Sequence, residues 1–301
     1  MINKVKILGS LLLKLETRSK TGSGRKMLLL NISYFIPGVF LPWILLKQNA
    51  DPTGFQFSFL TFLFYSLIIA FTIITELDNL ITSKTEAEIL AAMPIDLKLL
   101  VNAKMYMITR YLLLLSLPLL LPGSIYYYAI LRSFPRALLF YISALMLCFF
   151  TANVLILLYS MALKVFRTKS VGSYTMIFQA GMILLLIMAY QFISFGITGR
   201  PGSSVNGYIA SLQQKGVIDY FPPAWFAFLT TRNQYLFEAG LIVKLVMPLL
   251  ITILSYFSLK MYLDENYVHI RDKFLNSRII STGGIEKKRF FIFVMISDLI
   301  Q

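Results

Sequence analysis

Charge is scarce in this sequence. Only 14% of its 301 residues are Asp, Glu, Lys or Arg, against 57% apolar; an average soluble domain carries about 25% charged residues. A water-soluble fold of this size cannot hide so much apolar side chain, and the mean hydropathy is +0.73. Lipid must therefore be the solvent for much of the surface, which excludes a soluble enzyme. Cysteine and histidine are nearly absent: Cys148 lies deep in an apolar run and His269 stands alone. A single cysteine allows no disulfide framework and no cysteine metal site within one chain. A single histidine disfavours His-built metal sites and a Ser-His-Asp centre in the membrane. Acidic residues are missing from the middle of every long apolar segment, which weighs against ion coupling through buried carboxylates. Nucleotide-binding motifs are missing too. Thr21-Gly22-Ser23-Gly24-Arg25-Lys26 is glycine-rich and basic, but it lacks the phosphate-loop spacing and follows no strand. There is no H-E-x-x-H, no G-x-S-x-G and no repeat of 20–50 residues.

What is present is a series of long apolar runs. A helix needs about 20 mainly apolar residues to cross about 30 Å of hydrocarbon at 1.5 Å per residue. Six segments qualify: Met27–Leu46, Phe55–Thr75, Met105–Leu131, Ala137–Leu163, Ser173–Ile197 and Leu241–Leu263. The expected fold is an all-α integral membrane protein. It has a cytoplasmic arm over 1–26, a six-helix domain over 27–263, and a stretch 264–301 that is a cytoplasmic tail or the start of a further membrane region. Residues 1–26 are basic and have no small-residue cleavage site before a suitable apolar core, so they do not read as a cleavable signal peptide.

Orientation follows from the basic residues. Lys and Arg exceed Asp and Glu by 14. They gather at the ends of apolar segments and not on one soluble face, so membrane topology and anionic lipid explain them better than nucleic acid does. One side of the six-span arrangement holds twenty: seven in 1–26, three in 76–104, three in 164–170 and seven from Lys260 onward. The other side holds seven: Lys47, Arg132, Arg136, Arg200, Lys215, Arg232 and Lys244. Positive-inside bias then places both termini in the cytoplasm. The aromatics agree. Trp43, Trp225 and Tyr126-Tyr127-Tyr128 all fall at the outer ends, where amphipathic rings favour the interface.

Four features carry the functional reading. In the loop Glu76–Lys104, Thr85 and Glu88 form a capping box, and Glu86 and Glu88 favour a helix start. Ile89, Leu90 and Met93 then form an apolar stripe that Pro94 ends. The loop holds five acids against three lysines. That balance disfavours anionic lipid and favours docking of a soluble partner over an interfacial helix. The second feature is the arm Lys4–Lys20, whose Val5, Leu8, Leu11, Leu12 and Leu15 recur at helical spacing among cations, as in an interfacial helix. The third is the long outer loop 198–240. It carries Phe221-Pro222-Pro223-Ala224-Trp225-Phe226, in which consecutive prolines fix a turn; either a surface loop or a half-inserted segment fits. The fourth is the polar set within the spans, Asn31, Arg110, Asn153, Gln179 and Gln191. Arg110 is close enough to Lys104 to snorkel to the inner headgroups. Asn153 and Gln179 can bond between helices. Pro37, Pro42, Pro118 and Pro122 should kink the first and third spans.

Taken together, these features resemble the permease subunits of ABC-2 type transporters, the ABC exporter class. The N-terminal arm is similar to that family's connecting helix. Leu90-Ala91-Ala92-Met93-Pro94-Ile95-Asp96, followed by Val101-Asn102-Ala103-Lys104, resembles its pattern between spans two and three. Phe221-Pro222-Pro223-Ala224-Trp225-Phe226 resembles its outer re-entrant region. The resemblance implies a permease without catalytic residues, cofactor or metal of its own. It would pair with a second copy or a paralogue in a membrane, a bacterial plasma membrane for preference. A separate ATPase, which holds ATP and Mg, would dock on a coupling helix at Thr85–Met93 and drive an exported substrate across. The competing readings are an ion-coupled secondary carrier and a non-transporting membrane anchor or assembly protein.

Overall fold

In a computed structural model, the structure describes residues 5–12, 23–47, 55–81, 97–165, 180, 181, 184, 220–230 and 246–267. All regular structure among them is helical. The elements are α1 (residues 5–12), α2 (Ser23–Lys47), α3 (Phe55–Ile81), α4 (Leu97–Leu131), α5 (Phe134–Val165), α6 (Pro222–Ala227) and α7 (Val246–Tyr267). Four of these contain stretches long and apolar enough to cross a membrane: Phe55–Glu76, Lys98–Ala129, Phe134–Met161 and Val246–Tyr267. Within α2 the described apolar stretch is shorter, Ile32–Leu46. The expected span Ser173–Ile197 lies outside the described residues except for three positions.

The helices are longer than the apolar runs that announce them. α4 begins at Leu97, not Met105, and α3 continues to Ile81, beyond Thr75. Backbone hydrogen bonding does not stop where hydrocarbon stops, so polar turns extend the helices past the membrane boundary.

Between α4 and α5 the chain turns on two residues. Arg132 takes a left-handed conformation, φ 46°, and its N–H donates to the Tyr128 carbonyl at 2.7 Å. This closes the helix as a glycine would at the same place. Ser133 then receives the Ala137 N–H, and Pro135 sits in the first turn of α5, where its missing donor costs nothing.

α3 is the centre of the bundle. Of its spanning stretch, 72% is buried in protein, against 22% for α7. It touches α2, α4, α5 and α6. Phe57, Phe62, Tyr127 and Phe140 form one aromatic cluster, with Tyr127 and Phe140 stacked at 4.7 Å and Phe62 and Phe140 at 4.9 Å. Lipid tails are as apolar as leucine, so this core is held by close packing and not by escape from solvent. α2 lies against α4 through a glycine: a Cβ on Gly38 would stand 2.5 Å from the Leu119 carbonyl oxygen. Only the missing side chain lets the two backbones approach so closely, and both contact points follow a proline, Pro37 and Pro118.

Hydroxyls are satisfied along the helices themselves. Thr61, Thr72, Thr109, Ser143, Thr151 and Ser160 each donate to the carbonyl four residues earlier at 2.7–2.9 Å. In hydrocarbon there is no water to take that role.

α5 and α7 run parallel. Asn153 meets Ser255, with Nδ2 to Oγ at 3.5 Å, and the Tyr262 hydroxyl donates to the Ser160 carbonyl at 3.1 Å. The two pairs advance seven residues along each helix in the same direction.

Candidate functional site: a proline-initiated helix buried in the bundle

The end of the bundle where α4 finishes, here the Tyr127 end, contains α6. Its start explains its sequence. A helix leaves its first four N–H groups without intrahelical partners, and in an apolar interior each orphan is costly. Pro222 and Pro223 have no N–H to orphan, and the Ala224 N–H donates to the Phe221 carbonyl at 2.9 Å. Consecutive prolines therefore let α6 pass from the half-exposed Phe221 to the buried Pro223 and Ala224 without orphaning an N–H group. The other end closes in the same economical way. Phe228, Leu229 and Thr230 donate backbone N–H groups to Ala224, Phe226 and Ala227.

Pro223, Ala224, Phe226 and Ala227 are buried. α6 packs on α3 and α5. Phe226 lies against Phe150, roughly halfway along α5, at 6.1 Å between ring centres. Phe228 stacks on Phe55 at 4.6 Å, at the start of α3. The segment thus runs from the bundle middle to its Tyr127 end within a few residues. A polar contact locks that end. The hydroxyls of Thr230 and Ser58 are 2.7 Å apart, and the Tyr127 hydroxyl donates to the Thr230 carbonyl at 3.0 Å. These bonds join positions 172 and 103 residues apart in sequence.

Of the four residues singled out in this loop, Pro223 is buried and Pro222 and Trp225 are half-buried against the core; Phe221 is half-exposed. The packing of α6 on α3 and α5 fits both readings of this loop, a half-inserted segment and a loop packed over the bundle. The aromatic belt needs one correction. Trp43 and Tyr128 are exposed, but Tyr127 is 1% exposed and belongs to the core. Three adjacent residues on a helix spread over 200°, so they cannot all face one way.

The intramembrane polar residues divide. Asn153 is buried and bonds α7, as its position suggested. Arg110 is exposed, with its guanidinium 5.8 Å from the centre of the Tyr106 ring. The Asn31 side chain, Gln179 and Gln191 lie outside the described residues, as do Thr85, Glu86, Glu88, Ile89, Leu90 and Met93 of the expected docking helix. In the arm, Gly9 and Leu12 are buried and Ile7 and Leu11 exposed. The face of α1 that packs on the bundle thus shares Leu8 and Leu12 with the apolar stripe read in the sequence and adds Gly9, while Leu11 faces away.

Sequence reasoning missed Thr230, Ser58 and Tyr65. Tyr65 is fully buried, and its hydroxyl has no hydrogen-bond partner. It occupies the space a side chain on Gly123 would need. Glycine directly after Pro122 was the available signal, since it marks a close approach within a helix. Among the described residues no group of His, Cys, Asp or Glu is placed to hold a metal.

No protein-family model, curated protein or solved structure matches the chain.

Proposed function

We propose that this chain is the membrane-spanning subunit of an ATP-driven exporter, built on the ABC-2 permease plan, with the nucleotide chemistry carried by a separate ATPase. The observation that carries the reading is the buried segment Phe221–Thr230. It starts on two prolines, packs on α3 and α5, and is tied at Thr230 to Ser58 of α3 and Tyr127 of α4. A re-entrant segment of this kind at one membrane face is costly to build in a protein that only needs an anchor, and it is the feature expected where such a permease closes its path.

The parallel run of α5 and α7 supports six spans. α5 ends at the opposite end of the bundle from α6. To begin α7 parallel to α5, the chain must cross the membrane an odd number of times between Val165 and Val246. Ser173–Ile197 is the stretch in that interval long and apolar enough to do so. With twenty cations assigned to the Leu97 side, that side is read as cytoplasmic. A docking segment at Thr85–Met93, between α3 and α4 in the chain, would then face the compartment of the expected ATPase. The exposed apolar faces of α2 and α7 leave room for lipid and for a second permease copy.

The test is association. Purified in mild detergent from its native membrane, the chain should bring down an ATPase with a phosphate loop, and the pair should hydrolyse ATP. Ile89→Asp combined with Met93→Asp should abolish the pairing while leaving the chain folded in the membrane. A wild-type chain that binds no nucleotide-hydrolysing subunit, or a pairing that survives the double substitution, overturns the assignment. Uptake into vesicles that follows a proton or sodium gradient without ATP would favour the carrier instead.

A further inference from the structure

At the Leu97 end of the bundle, α1 lies on α4 by direct backbone approach. A Cβ on Gly9 would stand 2.9 Å from the Ala103 carbonyl oxygen and 2.7 Å from Cδ1 of Tyr106. The same Tyr106 ring carries the guanidinium of Arg110, one turn further along α4, at 5.8 Å from its centre. One turn before Gly9 on α1, Lys6 is exposed. The two helices that meet here thus each carry an exposed cation, Lys6 on α1 and Arg110 on α4, and Ile7 and Leu11 of α1 are 61% and 49% exposed.

The depth of this contact can be measured along α4. Tyr128, exposed at the Tyr127 end, precedes the polar turn at Arg132 and marks one boundary. Eighteen residues separate it from Arg110, about 27 Å at 1.5 Å per residue, close to the roughly 30 Å thickness of the hydrocarbon. Arg110 thus sits at the far boundary, at headgroup level, and not in the bilayer centre.

We propose that Arg110, Tyr106 and Lys6 form a binding site for the headgroup phosphate of an anionic phospholipid. The planar guanidinium, held over Tyr106, presents its donors to two phosphate oxygens at once, and Lys6 adds a point charge from the opposite helix. A zwitterionic lipid brings its own ammonium against these cations, so the site selects lipids with net negative charge. Its consequence for the fold is that the lipid clamps the arm to the bundle. The inference depends on the chain being embedded in a membrane and is independent of transport or of any ATPase.

The experiment titrates phosphatidylglycerol, phosphatidylcholine or inorganic phosphate into the purified full-length chain in detergent and follows the thermal unfolding midpoint. Phosphatidylglycerol should raise the midpoint saturably, with little effect from the other two. Arg110→Gln with Lys6→Gln should weaken the apparent affinity about tenfold or more, while Lys260→Gln on α7 should leave it unchanged. A second arm uses the wild-type chain, so that a misfolded variant cannot decide the matter. A photoreactive phosphatidylglycerol should label peptides containing 5–12 and 103–110 ahead of others, and excess unlabelled phosphatidylglycerol should suppress that labelling. Equal midpoints with the anionic and zwitterionic lipids, an effect reproduced by inorganic phosphate, or labelling spread evenly over the lipid-facing helices would each overturn the site.

Discussion

At the scale of single residues, the membrane interior changes what a polar group costs. Tyr65 is the clearest case. Its hydroxyl is buried against Gly123 with no hydrogen-bond partner, and an unsatisfied buried group carries a penalty of about 1–3 kcal/mol. Tyr65→Phe keeps the ring and removes the penalty. The variant should unfold at equal or higher temperature than the wild type, with a gain of up to about 1 kcal/mol in a reversible detergent-unfolding assay. A clear loss of stability would mean that the hydroxyl has work to do in the bundle. The residue scale is also where sequence reading was weakest. Asn153 was legible, because an amide inside an apolar run needs a partner. Tyr65, Ser58 and Thr230 were not, because all three residue types are ordinary in spans and most serines and threonines satisfy themselves on their own helix.

Between elements, close approach depends on what side chains leave out. α2 and α4 meet where Gly38 lies over the Leu119 carbonyl, the small-residue contact by which membrane helices pack without a hydrophobic driving force. Gly38→Leu should force the helices apart and cost about 1–3 kcal/mol, read as a lower unfolding midpoint. Phe40→Leu on the exposed side of the same helix should change the midpoint little, since that position is more than half exposed to lipid. Equal effects of the two substitutions would remove the case for a tight α2–α4 contact. Four of the spanning helices were readable from apolar run length, although α3 and α4 continue several residues past their apolar runs. The place of Gly9 on the docked face of α1, beside Leu8 and Leu12, was not, since it depends on the approach of Ala103 and Tyr106 from α4.

Across the whole molecule, the open matter is how the two ends of the bundle face the membrane. In a Cys148→Ala background, single cysteines at Lys98 and Tyr220 report on opposite ends. Both positions are exposed. A membrane-impermeant thiol reagent should label Tyr220→Cys from outside intact cells and Lys98→Cys only after the cytoplasm is opened. Labelling of both from the same side would end the six-span reading, and reversed accessibility would invert the orientation. The parallel pairing of α5 with α7 makes the first outcome a direct test of an odd number of crossings between them.

What the amino-acid order settled by itself is the solvent. Transfer of about 20 consecutive residues into hydrocarbon is a local property, summed along the chain, so apolar run length announces a span without knowledge of its neighbours. The prolines at 222 and 223 were legible in the same local way as a break. Only the tertiary structure decided that the break starts a helix packed on α3 and α5. That outcome depends on Phe150, Ser58 and Tyr127 arriving from three other helices, 70 or more residues away in sequence. Which surfaces meet is settled by shape and by the few polar groups that lipid cannot satisfy, and neither is written in any single stretch of chain.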